Sequence, residues 1–264
     1  MAECFFGPAG WSYPDWKGTV YPPGAPPLRF NPLEFLAHDF DFVEVNTTFY
    51  RVPDLRLTGG WVAKTWHLDH FAFWVKLLGD FTHERKLEPG AVAFFLQSLA
   101  PLREASKLLG LLAQFPYSFQ FNDENLDYLD RLTDALAPET LAVEFRHDSW
   151  NRSEVLDFFR RKNLIWTNID QPLISSSLPL TACLTHADTS YFRLHGRNYR
   201  NWFSGAGRDA RYDYLYSAPE LNQIAEAILR LKDQAKKIFV SGNNHYKGSA
   251  VKNLLQLKEM IVGK

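Results

Sequence analysis

The sequence predicts a TIM (β/α)8 barrel built as a single domain over residues 1–264. Three observations carry that prediction: eight short apolar runs rich in β-branched and aromatic residues, helical periodicity between most of them, and a length over which such a barrel closes as one unit.

The first run, Cys4–Phe6, leads into a long connection from Pro8 to Asn31 that carries Trp11, Tyr13, Trp16 and Tyr21 among prolines and glycines. Runs at Phe42–Val45, Phe71–Leu77 and Leu109–Phe115 read as the next three strands. After the fourth, Leu126, Leu129, Leu132 and Leu136 recur at the 3.6-residue spacing of a helix laid on a sheet. Strands five and six are read at Leu141–Phe145 and Leu164–Ile169, and strand seven at Tyr191–Leu194. A second long connection, Gly196 to Ser217, holds Arg197, Arg200, Arg208 and Arg211 with Tyr199, Trp202 and Gly205-Ala206-Gly207. Leu221, Ile224, Ile228 and Leu231 form another helical stripe, Ile238–Val240 reads as the eighth strand, and a last helix is expected near Ser249–Ile261.

Alternation of strands with helices implies a parallel sheet, and eight units favour closure over an open doubly wound sheet, the alternative architecture. An open dinucleotide-binding sheet would carry a GxGxxG fingerprint in its first loop. Here that loop reads Gly7-Pro8-Ala9-Gly10-Trp11-Ser12, so nicotinamide chemistry is not supported. A net charge of -1 gives no global attraction to nucleic acid or to membrane. Cys4 and Cys183 are the only cysteines and read as core-filling. With no signal peptide read at Met1–Phe6 and no membrane-length apolar stretch, the expected location is cytoplasmic.

Side chains of a barrel strand alternate between lumen and helices, so parity assigns each one a side. If the apolar set meets the helices, Glu44 and Asn46, Lys76, Glu144 and Arg146, and Arg193 and His195 turn inward. The same rule sends Trp166, Asn168 and Asp170 inward from strand six and Phe239, Ser241 and Asn243 from strand eight. Polar groups thereby converge at the carboxyl ends of the strands, where barrel enzymes assemble their sites. A buried salt-bridge network plugging the barrel would use the same residues, at several kcal/mol of desolvation per ion.

Lys76, Arg146, Arg193 and Arg197 outnumber Glu44 and Glu144, which predicts an anionic ligand such as a phosphate or carboxylate. The arginines beside Gly205-Ala206-Gly207 sit where many barrels hold phosphate. Glu44, Glu144, Lys76 and His195 are the candidates for acid–base catalysis. Trp11, Tyr13, Asn46, Arg146, His147, Arg193, Arg197, Asn243, Asn244 and His245 are the candidates for substrate binding. No HxH or HExxH motif marks a metal ligand set; no cofactor is expected, and a divalent metal stays open.

The chain resembles the YecE-like family, a barrel family described as a domain of unknown function. The resemblance rests on Gly10-Trp11-Ser12-Tyr13, on Phe42 to Tyr50, on Phe73-Trp74-Val75-Lys76 with Thr82-His83, and on Ala142 to His147 with Ser149-Trp150. Arg193-Leu194-His195-Gly196-Arg197 and Asn243-Asn244-His245 complete it, and it implies a TIM barrel with a pocket built from those segments. Two positions depart from the family pattern, Phe115 in place of a leucine and Gly242 in place of an aromatic; the second implies a pocket opened on its eighth-strand side.

The leading functional expectation is an enzyme of hydrolase, lyase or isomerase type acting by acid–base chemistry on a small or nucleotide-like anionic substrate. Two alternatives stand beside it: a metal-dependent nucleic-acid phosphodiesterase using the Arg197–Arg211 loop, and a non-catalytic metabolite sensor.

Overall fold

The computed structural model describes residues 1–24, 30–202 and 207–263. Eight parallel strands succeed one another: β1 (Glu3–Pro8), β2 (Phe42–Val45), β3 (Ala72–Lys76), β4 (Leu108–Gln114), β5 (Leu141–Glu144), β6 (Ile165–Asp170), β7 (Thr189–Leu194) and β8 (Lys237–Gly242). From β2 to β8 each strand pairs with the next in sequence, and β8 returns to β1. The remaining seam is drawn together by the Gly10 N–H donating to Glu44 O at 2.8 Å and the Asp41 N–H to Phe6 O at 2.9 Å. The result is a nearly closed TIM barrel, with every strand within two residues of the run that announced it.

Gly7 lies on that seam, and a Cβ there would stand 2.2 Å from Phe42 O. Backbone cannot retreat as a flexible side chain can, so Gly7→Ala is expected to cost about 3 kcal/mol, the upper end of ordinary overpacking. Denaturant unfolding midpoints would measure it, and a loss under about 0.5 kcal/mol would show that the seam yields.

The helices used below are α1 (Pro32–Leu36), α2 (Leu55–Thr65), α3 (Pro89–Ser98), α4 (Asp123–Leu136), α5 (Ser153–Lys162), α6 (Ala218–Leu229) and α7 (Ser249–Val262). Their ends follow local chemistry. Asp54 accepts from the Leu57 N–H to start α2, Asn122 from the Asn125 N–H to start α4, and Ser217 with Glu220 forms a capping box for α6. Asn163, left-handed at φ 53°, ends α5.

One βα unit departs from the pattern, because the connection between β6 and β7 holds no helix. Its irregular backbone lies on the outer face of β6. Asn168 accepts from the Cys183 N–H at 2.8 Å and donates to Cys183 O at 3.0 Å, imitating a neighbouring strand. Trp166 donates to Thr181 and packs on Phe145 and Phe159, while Asp170 binds Arg197 and Tyr216. The expectation that Trp166, Asn168 and Asp170 face the lumen is therefore wrong. Thr167 pairs in register with the lumen residue Tyr191, so the odd-numbered residues point inward. Parity failed because it assumed an apolar helix outside β6, whereas a polar loop satisfies Asn168 and Asp170 there.

Inside, the lower barrel is filled by Phe5, Phe42, Trp74, Leu109, Leu112, Ala142, Ile165, Tyr191 and Phe239, a cluster separate from the core between sheet and helices. Trp74 meets Tyr191 and Phe239 edge-on, at ring separations of 4.7 and 5.4 Å. Two residues further along several strands the lumen turns polar: Phe42 gives way to Glu44, Trp74 to Lys76, Leu112 to Gln114, Ala142 to Glu144, Tyr191 to Arg193 and Phe239 to Ser241. An apolar stopper thus supports a charged layer at the carboxyl ends.

Candidate active site

Arg193 is the hub of the charged layer. Its Nε and Nη2 grip Glu44 at 2.9 and 2.6 Å, and its Nη1 donates to Glu144 at 2.9 Å. Tyr191, whose ring belongs to the stopper, donates its hydroxyl to Glu44 at 2.8 Å, and Ser241 adds a bond at 3.1 Å. Burial alone would raise the Glu144 carboxyl, but Arg146, Arg193 and His195 outweigh it and hold it well below its ordinary range. Both carboxylates are fully buried. The alternative of a salt-bridged plug is therefore physically present as the floor of the site, with two arginines against two glutamates.

His195 has a fixed tautomer. Its Nδ1 faces donors, Asn243 Nδ2 at 2.9 Å and Arg146 Nη2 at 3.4 Å, so the proton sits on Nε2, 3.2 Å from Glu144. Burial, and then Arg146, push its pKa down to about 3. The ring is neutral at physiological pH, which removes the near-neutral titration on which its assignment as acid or base rested.

Lys76 occupies different surroundings. Its Nζ donates to the neutral Gln114 Oε1 at 2.8 Å and lies 4.2 Å from the centre of the Phe49 ring, with no carboxylate of the described residues in ion-pair contact. Burial, then Arg193, lowers its pKa to about 7 against the pull of Glu144 and Glu44. It faces a cleft of about 790 Å³ at the carboxyl ends, a volume suited to a small molecule.

The cleft gathers Trp11, Tyr13, Asn46, Lys76, Arg193, Asn243 and His245, all expected from sequence. Tyr13 stacks on His245 at 4.3 Å, and Trp16 donates to His245 O, which ties the first loop to the end of β8. Other candidates lie elsewhere. Arg146 sits below, against Glu144, Gln171 and Trp202. His147 receives the Ser149 N–H and packs on Tyr117, Arg197 is held by Asp170 and Gln223, and Asn244 bonds Tyr214 O and Asn253. Gly242 contributes no opening: a Cβ there would meet Leu254 and Ala250 of α7. Of the supposed phosphate loop, Gly205 and Ala206 lie outside the described residues.

Sequence reasoning missed Gln114 and the cleft's second set of cations, Arg51, Arg56 and Lys64, carried on α2 and the turn before it. Gln114 was available by parity, two residues beyond Leu112. The three cations were not, because exposed basic residues on a helix ordinarily mean only solvation. Among the described residues, no group of three or more His, Cys, Asp or Glu side chains is arranged to hold a metal.

Fold and cleft together define a TIM-barrel protein whose ligand-sized site opens at the carboxyl ends of its strands. Residues 5–264 match the family described as "Protein of unknown function DUF72", and the chain belongs to that family. The UPF0759 protein YunF of Bacillus subtilis is 30% identical over 97% of this chain and 94% of its own. A DUF72 family protein of Thermotoga maritima superimposes with a TM-score of 0.85 at 38% identity, covering 98% of this chain and 99% of that one. One from Enterococcus faecalis gives a TM-score of 0.86 at 26% identity, over 98% and 96% of the two chains. No helix among the described residues is long and apolar enough to cross a membrane.

Proposed function

We propose that the protein is an enzyme that binds a small phosphate- or carboxylate-bearing substrate in the cleft and transfers protons through Lys76. One observation carries the reading: an amine with a pKa of about 7 faces an open, ligand-sized cleft, while the neighbouring carboxylates are consumed by Arg193. A group poised near neutrality exchanges protons with a substrate in both directions at little cost. Arg193 supports the charge of the layer from beneath, and the substrate's anionic group faces Lys76, Arg51, Arg56 and Lys64 across the cleft, with Asp54 the one acid among the described lining residues.

Thermal unfolding in the presence of inorganic phosphate, glycerol 3-phosphate and citrate tests the binding step. At least one should raise the melting temperature of the wild type, and Arg51→Gln/Arg56→Gln/Lys64→Gln should reduce the rise at least about tenfold in apparent affinity, as expected for the loss of charge-assisted contacts. An undiminished response in that triple variant would refute the assignment of the anion to this cleft. For any substrate turned over, kcat/KM should increase with pH through about 7 if Lys76 acts as base. A metabolite bound but recovered unchanged after long incubation would make the protein a sensor instead.

A further inference from the structure

We propose that Lys76 is a carbonyl-reactive amine, whose Nζ adds to the aldehyde or ketone carbon of the anionic substrate and forms an imine. This deepens the acid–base reading and rests on it for the anion-binding cleft.

The geometry separates Lys76 from the other lysines. Its bond to Gln114 Oε1 uses one N–H and leaves the lone pair of a neutral amine available to the cleft. Holding a lysine with an amide oxygen, where Glu44 and Glu144 stand close by, avoids the carboxylate contact that would lock it as ammonium. Lys107 is also partly desolvated, but its Nζ donates to Leu68 O and Phe71 O, away from the cleft lining. Lys162 is pinned between Asp130 and Asp134. At its pKa of about 7, Lys76 is about half amine at pH 7, whereas an ordinary lysine is amine in roughly one molecule of two thousand.

The step balances without an oxidant or a reductant. The nitrogen lone pair forms the N–C bond as the carbonyl π electrons move to oxygen, and the nitrogen's proton passes to that oxygen to give a carbinolamine. The C–O bond then breaks, the oxygen leaves as water with one further proton taken from solvent in the open cleft, and the nitrogen lone pair closes the iminium. An iminium draws electrons from the adjacent carbon. It would make a neighbouring C–H or C–C bond labile, which a proton-transferring site can exploit.

The test uses the full chain at pH 7 with glyoxylate and with pyridoxal 5'-phosphate, each followed by borohydride reduction and peptide mass mapping. Label should appear on Lys76 at least about tenfold faster than on any other of the 13 lysines. Inorganic phosphate should slow labelling by pyridoxal 5'-phosphate, and Lys76→Arg, which keeps the charge but forms no imine, should lose the fast phase while melting cooperatively. Label spread over exposed lysines without preference for Lys76 overturns the proposal. If anions stabilise the wild type yet borohydride traps nothing at Lys76, the imine fails and the acid–base reading survives. Equal labelling by propionaldehyde and glyoxylate, unaffected by phosphate, overturns the anionic substrate class.

Discussion

Replacing Arg193 with methionine is expected to destabilise the protein by about 3–5 kcal/mol, the range for removing one partner of a buried ion pair. Arg193 makes five hydrogen bonds, three to Glu44, one to Glu144 and one to Asn46, and it is 2% exposed. Methionine fills similar volume but takes from the buried Glu44 its ion-pair partner and leaves the buried Glu144 paired with Arg146. In thermal unfolding the deficit corresponds to a fall on the order of 10 °C for a chain of this size.

The pH dependence has a definite sign. The Glu144 carboxyl titrates well below its ordinary value in the fold, so its contribution is complete above the unfolded-state value and fades as pH falls through the folded one. The difference between wild type and Arg193→Met should therefore shrink on acidification. Arg193→Lys should retain only part of the stability, because an ammonium cannot bind two carboxylates with a planar fork. A variant as stable as wild type at pH 7 would mean that the charged layer is not what holds the upper barrel together.

Lys76→Met is expected to act in the opposite direction and stabilise the fold by about 1–3 kcal/mol at pH 6, while weakening the response to anions. In the native state Lys76 titrates at about 7, and in the unfolded chain near 10.4. Between those values the unfolded state binds more protons, so wild-type stability rises with pH. Below 7 the fold must hold a poorly solvated ammonium beside Arg193. The gain from methionine should accordingly be greatest below pH 7 and disappear near pH 10.5, where both states hold a neutral amine. The magnitude is less than the full shift implies, since the side chain reaches the open cleft and is partly screened by water. Denaturant midpoints at pH 6 and pH 10 measure it. Loss of stability at pH 6 would show that Lys76 serves the fold through Gln114 and Phe49, and the functional role would fall with it.

On the proposed reading, a residue expected to cost the fold stability at neutral pH while lying on the cleft carries the signature of a site shaped by use. The glutamates do not carry that signature. Sequence groups them with Lys76 and His195 as candidate acids and bases because it assigns each of them the same inward side. Position within the layer then separates them: Glu44 and Glu144 are ion-paired beneath, His195 is kept neutral by burial and Arg146, and Lys76 alone of the four lines the open volume.

How far the sequence reached depended on how local the controlling physics was. Strand positions, the barrel and the inward side of Glu44, Lys76, Glu144 and Arg193 follow from alternation and apolar runs, which neighbouring residues set. Parity failed at Trp166, Asn168 and Asp170 because what packs outside β6 is supplied by a loop some 15 residues later. Arg51, Arg56 and Lys64 entered the site only because closure of β1 on β2 brings the turn before α2 beside the first loop.

By itself, then, the sequence determined that this chain forms an eight-stranded barrel with charges directed into its upper end, since periodicity and hydrophobicity act along the chain. Tertiary structure alone decided which of those charges neutralise one another and which remains available. Arg193 reaches Glu44 and Glu144 from across the lumen, 149 and 49 residues away in sequence. Ion pairing depends on distances in space and on the water each group loses, and neither quantity is written in the order of the residues.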